Sequence, residues 1–319
     1  MKRRAFLKLG LAVALCGPDA AARTLNEAEA ETIAHAWSRE LFVAPDRQAL
    51  LPGLAADLEQ LAAAGGQQRT IAQLSAYVAM IAASGGDDVA ARRWWYRAQR
   101  AAAASGDSHL GAYVAGQRSV HVLYGGAPAH ALRVADEALA VTNAPCAGRM
   151  HALSASAKAQ ALLGNTREAL DALRATEATF ERLPRDLTRE KVSALGWAEE
   201  RLHHTRSYAA AFGGIDGGDA AREAALTLYS PAAWRGPAQV KLHLAASERD
   251  TGYAAATLAA LSDSQRHDRS VRLTAARVLR AAEQRGDARA AELREVVNQR
   301  VRRDSGGLLA WKRPRGPTR

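Results

Sequence analysis

Thr70-Ile-Ala-Gln-Leu-Ser-Ala-Tyr-Val-Ala-Met-Ile-Ala-Ala-Ser84 is followed by Gly85-Gly86-Asp87-Asp88 and then by Val89-Ala-Ala-Arg-Arg-Trp-Trp-Tyr-Arg-Ala-Gln-Arg100. Two helix-forming stretches flank a Gly-rich corner. Within them a small residue, Ala79, faces a small residue early in the second stretch, Ala91, with Trp95 four positions on and Ala98 three beyond. The reason for such a pattern is steric. Two helices that cross closely admit only Ala, Gly or Ser at the contact, and a large residue fills the gap beside it.

This arrangement resembles the tetratricopeptide pattern, and the unit recurs along the chain. Residues 111–124, Gly125-Gly126 and 127–141 place Ala131, Ala135 and Ala138 in a second helix. Residues 150–163, Gly164-Asn165 and 166–183 offer Ala157 in the first helix, then Ala169 and Leu173 in the second. Ala91 to Ala131 is a step of 40 and Ala131 to Ala169 one of 38, longer than the usual ~34 but within the range of helical-hairpin solenoids. A linker after Pro184 leads to further pairs at 197–212 with 218–229, 237–249 with 253–261, and 270–284 with 288–300. Ahead of them 26–42 and 47–64 read as a first pair, opened by Asn26 with Glu29 as a capping box. The corner Gly213-Gly214-Ile215-Asp216-Gly217-Gly218 follows no strand, so it reads as a helix-to-helix turn and not as a dinucleotide loop. The expected fold is all-α, a tetratricopeptide-like α-solenoid of about six hairpins over residues 23–304.

Composition agrees. Roughly a quarter of the 319 residues are Ala, Ile occurs only at 33, 71, 81 and 215, and aromatics make up 5%. Ala is the best helix former and β-branched residues favour strands. With 48% hydrophobic and 24% charged residues the chain can bury a sizeable core.

The net charge of +10 invites a nucleic-acid reading, but its distribution argues otherwise. Residues 1–22 carry +3 and residues 305–319 carry +4, leaving +3 for everything between. A nearly balanced body lacks the basic face that releases many counterions, so no specific nucleic-acid binding by this chain alone is expected. Residues 305–319, with Gly-Gly, two Pro and scattered basics, read as a disordered basic tail. Residues 1–22 combine a basic start, a short apolar run and small residues in the arrangement of an export signal, and Arg3-Arg4-Ala5-Phe6-Leu7-Lys8 resembles the twin-arginine motif. The apolar run is far below the ~18–20 residues that span a bilayer, so no membrane span is expected. Cys16 and Cys146 provide no disulfide framework. A cytoplasmic location is expected, with export by the twin-arginine pathway as the alternative.

Several stretches carry a more specific resemblance. Ile71-Ala-Gln-Leu-Ser-Ala-Tyr-Val78, Asp88-Val-Ala-Ala-Arg-Arg-Trp-Trp-Tyr96, Ala101-Ala-Ala-Ala-Ser-Gly-Asp107, Pro145-Cys-Ala-Gly148, and Trp197 with Arg201 and Ser207-Tyr208 together resemble the C-terminal tetratricopeptide region of actinobacterial Xre-type helix-turn-helix regulators. The likeness runs from about residue 27 to 300. In that family such a region follows a DNA-binding domain, for which the some 25 residues ahead of the first pair leave no room. The resemblance therefore implies a sensor or docking module without DNA binding of its own.

No HExxH, CxxC, GxxxxGK[ST], GxSxG or EF-hand loop occurs, so neither enzymatic activity nor a catalytic residue, cofactor or metal is expected. Of the nine His only His203 and His204 are adjacent, and helical neighbours point about 100° apart, a poor arrangement for one metal. The expected function is a non-enzymatic binding and regulatory module whose concave face, lined by first helices, senses a peptide or small molecule or docks a partner protein. Two alternatives are an exported adaptor on the same scaffold and the sensor half of a split regulator; a homodimer is compatible with all three. The stripe Tyr113, Gln117, Tyr124, then His151 with Lys158, then Glu200 with His204 are the expected contacts, as exposed aromatics with mixed donors and acceptors. In the last of these helices Ala198, Leu202, Ala209 and Phe212 are the expected buried stripe.

Ala79→Leu and Ala91→Phe each overpack a helix crossing, which costs about 1–3 kcal/mol. Thermal unfolding followed by circular dichroism should show a clear fall in Tm for both, and unchanged curves would place the crossing elsewhere.

Overall fold

A computed structural model describes residues 26–64 and 67–298; the basic and apolar segment 1–22 and the basic tail 305–319 lie outside the described residues. Those described fold as α-helices joined by short corners, with no strand among them. In chain order they are α1 (Glu27–Val43), α2 (Leu51–Ala64), α3 (Gln68–Gly85), α4 (Asp88–Ser105), α5 (Ser108–Leu123), α6 (Pro128–Val141), α7 (Ala147–Leu163) and α8 (Thr166–Phe180). There follow the short α9 (Arg185–Arg189), then α10 (Glu199–Gly213), α11 (Gly218–Leu228), α12 (Arg235–Glu248), α13 (Thr251–Ala259), the short α14 (Asp263–Arg266), α15 (Arg269–Gln284) and α16 (Ala290–Asn298). The expected all-α solenoid-like architecture is present.

Local chemistry explains the corners. Asn26 and Glu29 form the expected capping box on α1, and Asp87 and Asp107 accept from the backbone N–H of Ala90 and Leu110 to cap α4 and α5. Gly86, at φ +84°, closes α3 in the left-handed region where a side chain would be strained.

Six pairs pack as close hairpins: α3/α4, α5/α6, α7/α8, α10/α11, α12/α13 and α15/α16. The leading pair α1/α2 is looser, held by Trp37 packing against Gly53 and donating from its indole N–H to Asp57 at 2.7 Å. The first helices of the hairpins touch one another in succession, α3 to α5, α7, α10, α12 and α15, and α15 returns to α3. The inner layer is therefore a closed ring, with the second helices outside it. Further bonds tie its ends: the Trp234 indole donates to Ala44 O at 3.0 Å, the Ser264 hydroxyl to Pro45 O at 3.1 Å, and Arg269 pairs with Asp88 and donates to Gly125 O.

The small residues singled out in the sequence sit at these contacts. Ala79, Ala98, Ala131, Ala135, Ala138, Ala157 and Ala169 are wholly buried. The tightest crossing is between α5 and α7. A Cβ on Gly148 would lie 2.2 Å from the backbone of Ala112 and Tyr113, and one on Gly116 would lie 2.2 Å from Gly148 O. Backbone meets backbone there, with no side chain between.

The segment after α9, expected as a linker, is a buried strap. Residues 190–198 run across the inside of the ring, where the Ala194 N–H donates to Ser38 O at 3.1 Å and the Ser38 and Ser193 hydroxyls meet at 2.7 Å. Ser193, Ala194 and Trp197 are buried.

One helix supplies a matched pair of variants. Gly116→Ala should destabilise by about 3 kcal/mol, since backbone must move to admit the methyl. Gly111→Ala, whose new Cβ would meet only Val141 Cγ1 at 3.5 Å, should be neutral or stabilise by about 0.5–1 kcal/mol through helix propensity. Urea unfolding of the two proteins decides it, and equal effects would contradict the crossing.

Candidate functional site

The ring encloses a cavity of about 180 Å³ that opens to solvent, and all six inner helices contribute to its wall. Its apolar surface comes from Phe42, Met80, Val120, Trp197 and Trp234, and its polar surface from Gln117, His151, Lys158, Arg201 and His204 among others. This mixture, apolar walls with a few convergent polar groups, is that of a ligand pocket.

Five of the seven residues expected from the sequence meet on this wall: Gln117, Tyr124, His151, Lys158 and His204. The α5/α7 crossing brings the Gln117 amide to 3.0 Å from the His151 ring. Lys158 extends from α7 between two aromatic faces, its Nζ 5.9 Å from the Tyr124 ring centre and 5.7 Å from that of Tyr208. The His204 ring bonds the Tyr229 hydroxyl at 2.9 Å.

Three expectations need correction. Tyr113 stands behind the wall, its hydroxyl donating to Ala194 O of the strap at 3.2 Å. Glu200 is wholly buried and outside the cavity, both carboxylate oxygens without a hydrogen-bond partner among the described residues. Burial raises its pKa, and its place in the first turn of α10 sets it where the helix dipole favours negative charge. Nor is the stripe an exposed concave surface, since all seven residues are buried. The ring closes over a face that a more open solenoid would show to water. For the same reason α10 is buried on more than one side: Ala198 and Ala209 are in the core as expected, but so are Glu200, His204 and Tyr208, while Leu202 and Phe212 are only half-buried.

The charged residues that sequence reasoning missed on this wall are four arginines. Arg47, Arg201, Arg235 and Arg269 all reach the wall, as do His121, Trp234 and Gln239. Trp197 and Arg201 lay within the quoted resemblance but carried no spacing signal toward a site. Arg47 sits in a turn and Arg269 at a helix start, and only closure of the ring brings them within one cavity.

Burial dominates the electrostatics. It lowers the pKa of His151, His204 and His243, with Lys158 adding repulsion at all three and Arg201 at the first two, and takes that of His121 to about 3. It pushes the Tyr124 hydroxyl up to about 12. Lys158 falls from 10.5 to about 7 through burial and the positive charge of Arg201, and its ammonium has no ion-pair or hydrogen-bond partner among the described residues. Asp268 is held below the usual carboxylate range because Arg235 and Arg47 outweigh its burial.

No protein-family model, curated protein or solved structure matches the chain. Among the described residues no cluster of three or more His, Cys, Asp or Glu could hold a metal, and no helix is long and apolar enough to cross a membrane.

Lys158→Met keeps the volume and removes the buried amine. Because the folded pKa lies below the unfolded one, the unfolded chain binds more protons between about 7 and 10.5, and the amine's cost to folding is full below about 7 and fades as the pH rises. The variant should melt higher than the parent at pH 6, and the gap should shrink steadily up to pH 10. The neighbours Arg201, His151, His204, His243, Tyr124 and Tyr208 are common to both proteins, so the comparison isolates Lys158; a gap independent of pH would mean that its amine is hydrated in the fold.

Proposed function

We propose that the chain is a non-enzymatic binding and regulatory module that takes up a small molecule in the cavity of its inner ring. The carrying observation is Lys158: an ammonium on the wall of an aromatic-walled cavity, held over the Tyr124 and Tyr208 rings with no carboxylate or hydrogen-bond partner among the described residues. A group so placed weakens the free protein and strengthens any complex that supplies its counter-charge. The Gln117–His151 pair supplies further donors and acceptors beside it.

A small molecule is favoured over a docked protein because the expected contacts lie inside a closed ring. No broad exposed apolar face is present among the described residues; the exposed large hydrophobics Val89, Tyr96, Val141 and Leu163 belong to α4, α6 and α7. The resemblance to sensor regions of Xre-type regulators supports a regulatory role and a cytoplasmic setting.

The test fills the cavity. Ala233, a half-buried loop residue on the wall, is changed to Trp, and parent and variant are melted in the presence of the small-molecule fraction of a cell extract. The parent should gain Tm and the variant should not. A protein partner that binds both with equal affinity, with no response to small molecules, would move the function to the outer surface.

A further inference from the structure

Five cations reach the cavity wall from five separate parts of the fold: Arg47 from the turn after α1, Lys158 from α7, Arg201 from α10, Arg235 from α12 and Arg269 from α15. No carboxylate lines the cavity among the described residues. Two of the five are neutralised from behind, Arg235 by Asp268 at 3.0 Å and Arg269 by Asp88. The other three have no carboxylate partner among the described residues. Arg201 donates to Ser193 O at 2.8 Å and lies over the Phe42 ring at 5.4 Å; it forms no ion pair among the described residues, and the charge of Glu200 offsets only part of its burial. Arg47 has a buried Nε without a hydrogen-bond partner, and burial together with Arg235 lowers its pKa against the weaker opposing charge of Asp268, whose ion pair is with Arg235. Lys158 is 7% exposed and has, among the described residues, only the Tyr124 and Tyr208 rings beside its charge.

Withdrawing unpaired cations from water is costly, and side by side they repel one another. Neighbouring polar groups in the same interior show the ordinary solution, each meeting a partner across a helix contact: Ser154 with Thr205 at 2.7 Å, Ser207 with His243 at 2.8 Å. Arg47, Lys158 and Arg201, which face the cavity, have no such ionic partner among the described residues. We infer that the cavity is the site of a small organic dianion, a planar ring bearing two carboxylates or one phosphate.

The charge follows from two permanent guanidiniums with Lys158 beside them. A guanidinium binds carboxylate or phosphate through a planar fork of donors. The ring follows from the aromatic walls and from the volume, about 180 Å³, against the roughly 150 Å³ that admits benzene in an apolar cavity.

The inference rests on the cavity being a small-molecule site, and the experiment separates the two. Phthalate, phenyl phosphate, neutral benzamide and inorganic sulfate are titrated into the full chain by calorimetry at constant ionic strength, with melting curves alongside. Phthalate or phenyl phosphate should bind at least about tenfold more tightly than benzamide and sulfate, a difference of about 1.4 kcal/mol, and the better of the two tells dicarboxylate from phosphate. Arg47→Gln and Arg201→Gln should each weaken that anion about tenfold or more. Arg47→Gln should leave the unliganded Tm unchanged or higher, since it removes a buried charge without an ion pair, whereas Arg201→Gln also loses the bond to Ser193 O and is titrated well below its own Tm. Benzamide equal to phthalate would overturn the anion and keep the small-molecule site. Sulfate equal to phthalate would reduce the site to non-specific charge and overturn the ring. No response to any ring compound, in parent and variants alike, would overturn the inference together with the site.

Discussion

The crossing of α5 over α7 at Gly116 and Gly148 is the contact on which the interior depends. Because the two backbones touch, nothing can be inserted between these helices, and their side chains must fall to either side of a fixed line. Gln117 and His151 fall on the cavity side within hydrogen-bond distance. Large residues such as Trp95 and Leu173 lie on the second helices of their hairpins, α4 and α8. Large residues stand on the first helices as well, Tyr77 and Ile81 on α3, Met150 on α7 and Tyr208 on α10, so it is the small residues at the crossings that let the units approach closely. An Ala-rich chain is thus suited to a tight ring.

Within that ring the inner helices are buried on nearly all sides, which would ordinarily call for an all-apolar surface. Here polar groups are kept, and some meet in pairs across adjacent helices, as Ser154 meets Thr205 and Ser207 meets His243. Such pairs add little net stability, about 1 kcal/mol each, but a slip of one helix leaves two buried groups unsatisfied. They hold the register that places the cavity residues. The strap at 190–198 serves the same end, filling with backbone a region that side chains of Ala and Ser are too short to reach.

The sequence was most legible where periodicity and caps speak for themselves. Ala79, Ala91, Trp95 and Ala98 marked the hairpin contact, Asn26 with Glu29 marked the first helix, and the i, i+4, i+11 stripe along α5 and its C-cap named Gln117 and Tyr124, which line the cavity. Spacing within one helix could not reveal how far the array curls. Closure therefore stayed hidden, and with it the burial of the whole stripe, the displacement of Tyr113 behind the strap, and the burial of Glu200. The arginines were illegible for the same reason. Arg47 and Arg269 stand 222 positions apart, and no local pattern distinguishes an arginine that meets a cavity from one that meets water.

The bonds from Trp234 to Ala44, Ser264 to Pro45 and Arg269 to Asp88 join the last hairpins to the first. An open solenoid unravels from its ends, each repeat answering only to its neighbours, so its stability is a sum of short-range terms. A ring has no ends within its inner layer. Losing one hairpin exposes two interfaces at once, and reforming the ring requires contacts between residues some 180 positions apart in the chain, whose closure entropy must be met before any of them is gained. The molecule therefore trades the piecemeal folding of a linear array for a single cooperative transition, and the cavity exists only in chains that have completed it.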